Sequence, residues 1–254
     1  MKVRIDKLLV ERGLALSRER AQALVLAGRV LVNGQKVEKA GAGAEEDADI
    51  RLLGEDLPYV GRGGVKLEAA LENWKIDLRG RTCMDVGAST GGFTDCMLQH
   101  GAREVIAVDT GYGQIAMKLR SDVRVKLLER TNARHLTSAQ LAQAGASGDI
   151  TFIAVDVSFI SATLVLPAVI TAAFPDSPAE RRGRQMVVLV KPQFEAGREH
   201  VGKGGIVRDQ AAQMDAVEKV RHLLLAQNCA HTDVIESPIL GAEGNREFLL
   251  YSVF

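Results

Sequence analysis

Residues 82–93 read Thr82-Cys83-Met84-Asp85-Val86-Gly87-Ala88-Ser89-Thr90-Gly91-Gly92-Phe93. An apolar run of strand length closes into a glycine-rich turn, and a helix-compatible segment, 92–100, follows it. Such an order lets a backbone approach a ligand closely and adds the positive end of a helix. The turn is not the dinucleotide fingerprint G-x-G-x-x-G, because Ser89 stands at the second glycine position. Asp85, two residues before the first glycine, would repel a pyrophosphate and attract a cation. Asp85, Gly87, Ser89, Thr90, Gly91, Gly92 and Phe93 are the first candidate binding residues.

Outward from this turn, six further apolar runs alternate with helix-compatible stretches: 104–109, 123–129, 150–157, 186–191, 233–236 and 248–254. Continuous Val/Ile/Leu runs separated by helices predict an α/β fold whose mostly parallel, seven-stranded sheet is covered on both faces. The last two runs lie close enough for an antiparallel edge. Ligands of such sheets bind at the carboxyl ends of the strands. The second run closes on Asp109, placed to accept both hydroxyls of an adenosine ribose, and the third is followed by Asn132-Ala133, where an adenine could be met. Together these match the S-adenosylmethionine site of the Rossmann-like methyltransferases.

The remaining strand ends speak to the methyl acceptor. The fourth run closes at Asp156 in VDVSF, without the prolines of amine-methylating enzymes. Cys83, Cys96 and Cys229 lie inside a run, in a helix and after a helix, so none is placed as the nucleophile that cytosine carbon-5 methylation needs. The fifth run ends on Lys191, an unusual residue for the end of a buried strand. Lys66, in RGGVKL before the sheet, and Glu247, in GNREFLL at the start of the last run, complete a Lys-Asp-Lys-Glu set. A ribose 2′-hydroxyl is a poor nucleophile, so its methylation needs in-line alignment and a base rather than a metal. A lysine can be that base when burial and a neighbouring ammonium disfavour its charged form. Lys191 is the expected base, with Lys66, Asp156 and Glu247 poising it.

The chain of 254 residues balances 32 Lys+Arg against 32 Asp+Glu, yet the charge is uneven. Residues 1–38 carry eight basic groups against four acids, and 39–57 carry two against six. Ile5, Leu8 and Leu9 have helical spacing before Gly13; Ser17 can cap a second helix carrying Ala21, Leu24 and Val25 before Gly28; RVLVNGQKV (29–37) is a hairpin around Asn-Gly. Helix, helix and hairpin over residues 4–37 resemble an S4 RNA-binding domain. That resemblance implies RNA phosphates gripped by Arg4, Lys7, Arg18 and Arg20, with Arg62 added from the next segment. The expected division is a small α+β domain over 1–57, a linker over 58–63 and a methyltransferase domain over 64–254.

The set Lys66, Asp156, Lys191 and Glu247 resembles, in type and order, that of the FtsJ-type 2′-O-ribose methyltransferases. With YVGRGGVKLEAAL (59–71), DVGASTGGF (85–93), AVDVSFIS (154–161), LVKPQFE (189–195), GGIVRD (204–209) and SPILGAEGNREF (237–248), the whole chain is similar to the TlyA, or haemolysin-A-like, family. The resemblance implies S-adenosylmethionine-dependent 2′-O-methylation of cytidines in ribosomal RNA. The competing readings are a membrane-lytic protein and an RNA-binding protein with a non-catalytic methyltransferase fold. Three scattered cysteines, charges throughout MKVRIDKLLVERG and no run of 18 apolar residues lead us to expect a cytoplasmic, metal-free protein without a membrane segment, most simply a monomer.

Overall fold

Ile5, Leu8 and Leu9 turn one apolar stripe inward, and that stripe fixes the first helix, α1 (Ile5–Glu11). The computed structural model describes residues 2–15, 17–26, 28–53, 58–146, 148–241 and 244–254. The chain divides into two units, Met1–Asp56 and Leu57–Phe254. In the first, α1 precedes α2 (Arg18–Leu26), whose Arg20 N–H donates to Ser17 Oγ at 3.2 Å, the expected cap. Ala21, Leu24 and Val25 of α2 share a core with Ile5, Leu8, Leu9 and Val30.

Around the helices run β1 (Lys2–Arg4), β2 (Val30–Val32), β3 (Gln35–Lys36), β4 (Gly43–Glu45) and β5 (Ile50–Leu52). The expected hairpin is β2–β3, and Asn33 and Gly34 at its tip have φ of 51° and 79°, as a type I′ turn requires. The acidic stretch after residue 38 is more structured than its composition suggests. β4 pairs with β1 and β5 with β2, both antiparallel, while Ala44 and Ala48 face the core.

The second unit opens with α3 (Gly63–Asn73) and continues as β6 (Thr82–Val86), α4 (Gly92–Gln99), β7 (Glu104–Val108), α5 (Met117–Arg120), β8 (Val125–Leu128), α6 (Ser138–Gln143) and β9 (Ile150–Val155). It ends with α7 (Leu166–Ala173), α8 (Pro178–Arg181), β10 (Gln185–Val190), α9 (Pro192–Glu195), α10 (Gln210–Ala226), β11 (His231–Glu236) and β12 (Phe248–Val253). All seven expected runs are strands of one sheet, in the order β11-β12-β10-β9-β6-β7-β8. β10, β9, β6, β7 and β8 run parallel to their neighbours in that group, and β12 lies antiparallel between β10 and β11. Leu67, Leu71 and Phe93 help cover one face, and Leu166, Ile170, Val217 and Leu224 help cover the other.

Residues 58–63, expected as a linker, are packed into the second unit. Tyr59 is buried and donates its hydroxyl to Glu68 at 2.7 Å, and Val60 N–H donates to Asp95 at 2.8 Å. A Cβ at Gly64 would lie 2.2 Å from the Tyr59 ring, so glycine permits this fold-back. Sheet growth runs from β6 toward β8 on one side and from β9 toward β10 on the other. The crevice therefore opens between the carboxyl ends of β6 and β9.

Candidate functional site

At that crevice the two strand ends almost touch. A Cβ on Gly87, whose φ is +89°, would lie 2.4 Å from the Asp156 carbonyl oxygen, so only glycine fits. Ser89 also adopts a left-handed conformation, φ 49°, and its N–H donates to Asp109 Oδ2 at 2.8 Å. Gly111 N–H donates to the other carboxylate oxygen at 2.6 Å. The glycine turn and Asp109 are thus one hydrogen-bonded assembly.

Two adjoining cavities meet here. One, of about 430 Å³, is lined by Asp109, Asn132, Ala133 and Ser89. The other, of about 540 Å³, is lined by Gly87, Thr90, Gly92, Phe93, Arg62, Lys66, Asp156, Lys191 and Glu247. Gly87, Ser89, Asp156, Ser158 and Phe159 line both. Gly91 closes the turn as the left-handed residue before α4.

The four polar residues form two ion pairs in the larger cavity. Lys66 Nζ lies 2.5 Å from Glu247 Oε2, and Lys191 Nζ lies 2.7 Å from Asp156 Oδ1 while donating to Ser158 Oγ at 2.6 Å. Side-chain exposures of 10% for each lysine and 3% for Glu247 make these largely desolvated charges. Each ammonium has its own carboxylate. Glu247 is seated under Gly241, where a Cβ would strike its carboxylate.

Asp85 sits beneath the turn, fully buried, and lines neither cavity. Thr94 donates its hydroxyl to Oδ2 at 2.6 Å, while Oδ1 has no hydrogen-bond partner. Burial is the main cause that pushes its carboxyl up to about 7; the negative fields of Asp156 and Asp109 add to it. Between roughly pH 4 and 7 the folded chain therefore holds a proton that the unfolded chain releases, and the group's contribution to stability falls as pH rises through that window. Asp85→Asn should flatten the fall, worth up to about 4 kcal/mol. Urea midpoints at pH 5 and 8 measure it, and an unchanged pH slope in the variant would count against the buried-carboxyl account.

The basic residues of the first unit have unequal freedom. Arg4 and Arg18 both meet the buried Asp6, at 2.8 and 3.1 Å, and Gln22 donates to the same oxygen. Arg4 is the largest influence holding the Asp6 carboxyl well below the usual range, with Gln22 and Arg18 adding to it. Lys7 forms an exposed pair with Glu11 at 3.3 Å. Arg62, exposed, lies in the second unit at the start of α3.

Sequence reasoning passed over an aromatic pair. Phe159 is 91% exposed with φ +64°, a costly conformation for a bulky residue. Its ring lies 5.5 Å from that of Phe194, and both line the larger cavity. The available signal was an aromatic directly after a strand's carboxyl end. The three cysteines are buried, and burial pushes the Cys83 thiol up to about 12, unsuited to a nucleophile. Among the described residues no His/Cys/Asp/Glu cluster could hold a metal, and no helix is long and apolar enough to cross a membrane.

A parallel sheet with an antiparallel strand inserted beside its edge, and a glycine turn at the switch point, is the Rossmann-like methyltransferase architecture. The chain belongs to the FtsJ-like methyltransferase family, whose model matches residues 59–254; an S4 domain model matches residues 3–49. Bacillus subtilis YqxC, which bears the name of an rRNA methyltransferase, is 45% identical over 250 residues, covering 98% of this chain and 85% of that one. The 16S/23S rRNA (cytidine-2′-O)-methyltransferase TlyA of Mycobacterium tuberculosis is 40% identical over 251 residues, covering 98% and 89%. A solved structure from Streptococcus thermophilus that carries the hemolysin name is 41% identical, with a TM-score of 0.72, over 99% of this chain and 88% of that one.

Proposed function

We propose that the chain transfers a methyl group from S-adenosylmethionine to ribose 2′-oxygens of ribosomal RNA, at cytidines as in the TlyA relative. The observation that carries this reading is the pair of buried lysine–carboxylate contacts in the cavity that adjoins the glycine turn. The donor set fits a cationic nucleoside: Asp109 and Asn132 offer polar groups for an adenosine, and Asp156, which lines both cavities, adds a carboxylate. When bound, the cofactor supplies a methyl group already activated by its sulfonium. Everything else falls to the chain. Lys66 and Glu247 position the ribose, and Lys191, once its ammonium has released a proton to solvent, accepts the 2′-hydroxyl proton on the freed lone pair of Nζ. Phe159 and Phe194 offer faces on which an unstacked base can rest.

Incubating the protein with methyl-labelled cofactor and ribosomal subunits should place label on a cytidine 2′-oxygen. Label on a base atom, or none on RNA, would refute the reading. Asp109→Ala should weaken cofactor binding at least tenfold, since the carboxylate placed for the ribose hydroxyls is lost together with its hold on the Ser89 and Gly111 N–H groups. Calorimetric titration showing wild-type affinity would remove Asp109 from the site.

The S4 unit is assigned the RNA grip. Charge reversal at Lys7 should lower RNA affinity and reduce the slope of log K against log salt by about 1. Arg18 is a poorer probe, because reversing it also disturbs buried Asp6. An unchanged salt slope would argue against docking through this surface.

A further inference from the structure

Glu195 belongs to no part of the chemistry described so far, yet its carboxylate is buried between three elements. It closes α9, the short helix that begins directly after Lys191. Oε2 accepts from the Ser161 hydroxyl at 2.5 Å and Oε1 from the Ala162 N–H at 2.5 Å. From α10, Lys219 Nζ approaches Oε2 at 3.7 Å and donates to the Glu195 carbonyl at 2.9 Å. Burial raises the carboxyl's affinity for its proton, opposed by the Ser161, Ala162 and Lys219 contacts. A group kept in so costly a place asks for a reason.

The reason lies in what the two hydrogen bonds join. Residues 156–162 leave the end of β9 carrying Asp156, Ser158 and Phe159; residues 191–195 leave the end of β10 carrying Lys191 and Phe194. On the cavity side the segments meet through Lys191–Asp156, Lys191–Ser158 and the two rings. Behind them they meet through Glu195. The first segment also holds Phe159 in a left-handed conformation, which persists only where its surroundings over-determine it. We infer that Glu195 is a positioning residue, a latch that holds the 156–162 segment against α9 so that Asp156 and Ser158 keep the Lys191 amine in line for transfer.

The inference rests on the methyltransferase reading: a wild-type protein that methylates no RNA overturns that reading and the latch with it, whereas the variants below can overturn the latch alone. With an active wild type, Glu195→Gln should keep the melting temperature and both binding affinities while kcat falls about 10- to 100-fold, the loss expected from misplacing reacting groups by about an ångström. Hydrogen exchange at Ala162 should speed up in the variant. Ser161→Ala should lower kcat by a smaller factor, and the double variant should lose less than the product of the two, because both cut one contact. Lys219→Met separates the alternative: if Glu195 only ties α9 to α10, this variant reproduces the loss. Near-normal kcat in Lys219→Met supports the latch. Full kcat in Glu195→Gln, or an equal loss in Lys219→Met, overturns it.

Discussion

Lys191→Arg is expected to bind cofactor and RNA and still lose methyl transfer by about 10²–10⁴, the range for a missing general base. Guanidinium keeps the positive charge opposite Asp156 but stays protonated under all ordinary conditions, so it has no lone pair to receive the hydroxyl proton. Single-turnover rates with saturating RNA are the relevant measurement. If Lys191 serves only as an ion-pair partner, Arg should bridge to Asp156 and Ser158 and retain most of the rate. Turnover within about fivefold of wild type would remove Lys191 from the role of base.

Lys66→Met should act first on stability. Its ammonium is the partner of Glu247, whose carboxylate is 3% exposed, and removing one member of such a pair strands the other. The expected cost is about 3–5 kcal/mol. Lys66→Met combined with Glu247→Leu should recover much of that loss, since an apolar pair of similar size avoids the desolvation penalty. Neither variant should transfer methyl groups. Urea unfolding decides the first point, and equal midpoints for the single and double variants would contradict the stranded-charge argument.

Much of the second unit was legible because its strands are buried on both faces, so that TCMDV and QMVVLV need no partner to be read. The glycine turn was legible from Gly87 and Asp109, whose spacing follows from one strand–helix–strand step. The pairing of Lys66 with Glu247 was not, since it spans 181 positions and depends on β12 returning through the sheet. The sequence placed Lys66 and Glu247 in one set with Asp156 and Lys191, but which lysine meets which carboxylate is decided by the geometry alone. Short strands such as Gly43–Glu45 and Ile50–Leu52 escaped because three residues carry no periodicity, and acidic composition around them suggested a solvated surface. Asp85 illustrates another limit. Its place in the motif suggested a cavity-facing carboxylate, whereas depth below the turn is set by how α4 packs on β6 and by Thr94.

Consider finally the order in which a ribosome makes this sheet. β12 is the last of its strands to be synthesised, yet it lies inside, hydrogen-bonded to β10 and β11. The 57 residues from Lys191 to Glu247 separate β10 from its neighbour, a delay of about 3–11 s at typical elongation rates. Throughout that interval the apolar edge Gln185–Val190 has no partner on one side, the kind of edge that recruits other chains. Glu247 arrives with the strand that closes the edge, so Lys66 acquires its counter-charge only when the sheet is complete. Chemical competence and protection from aggregation are thus acquired in the same late step of biosynthesis.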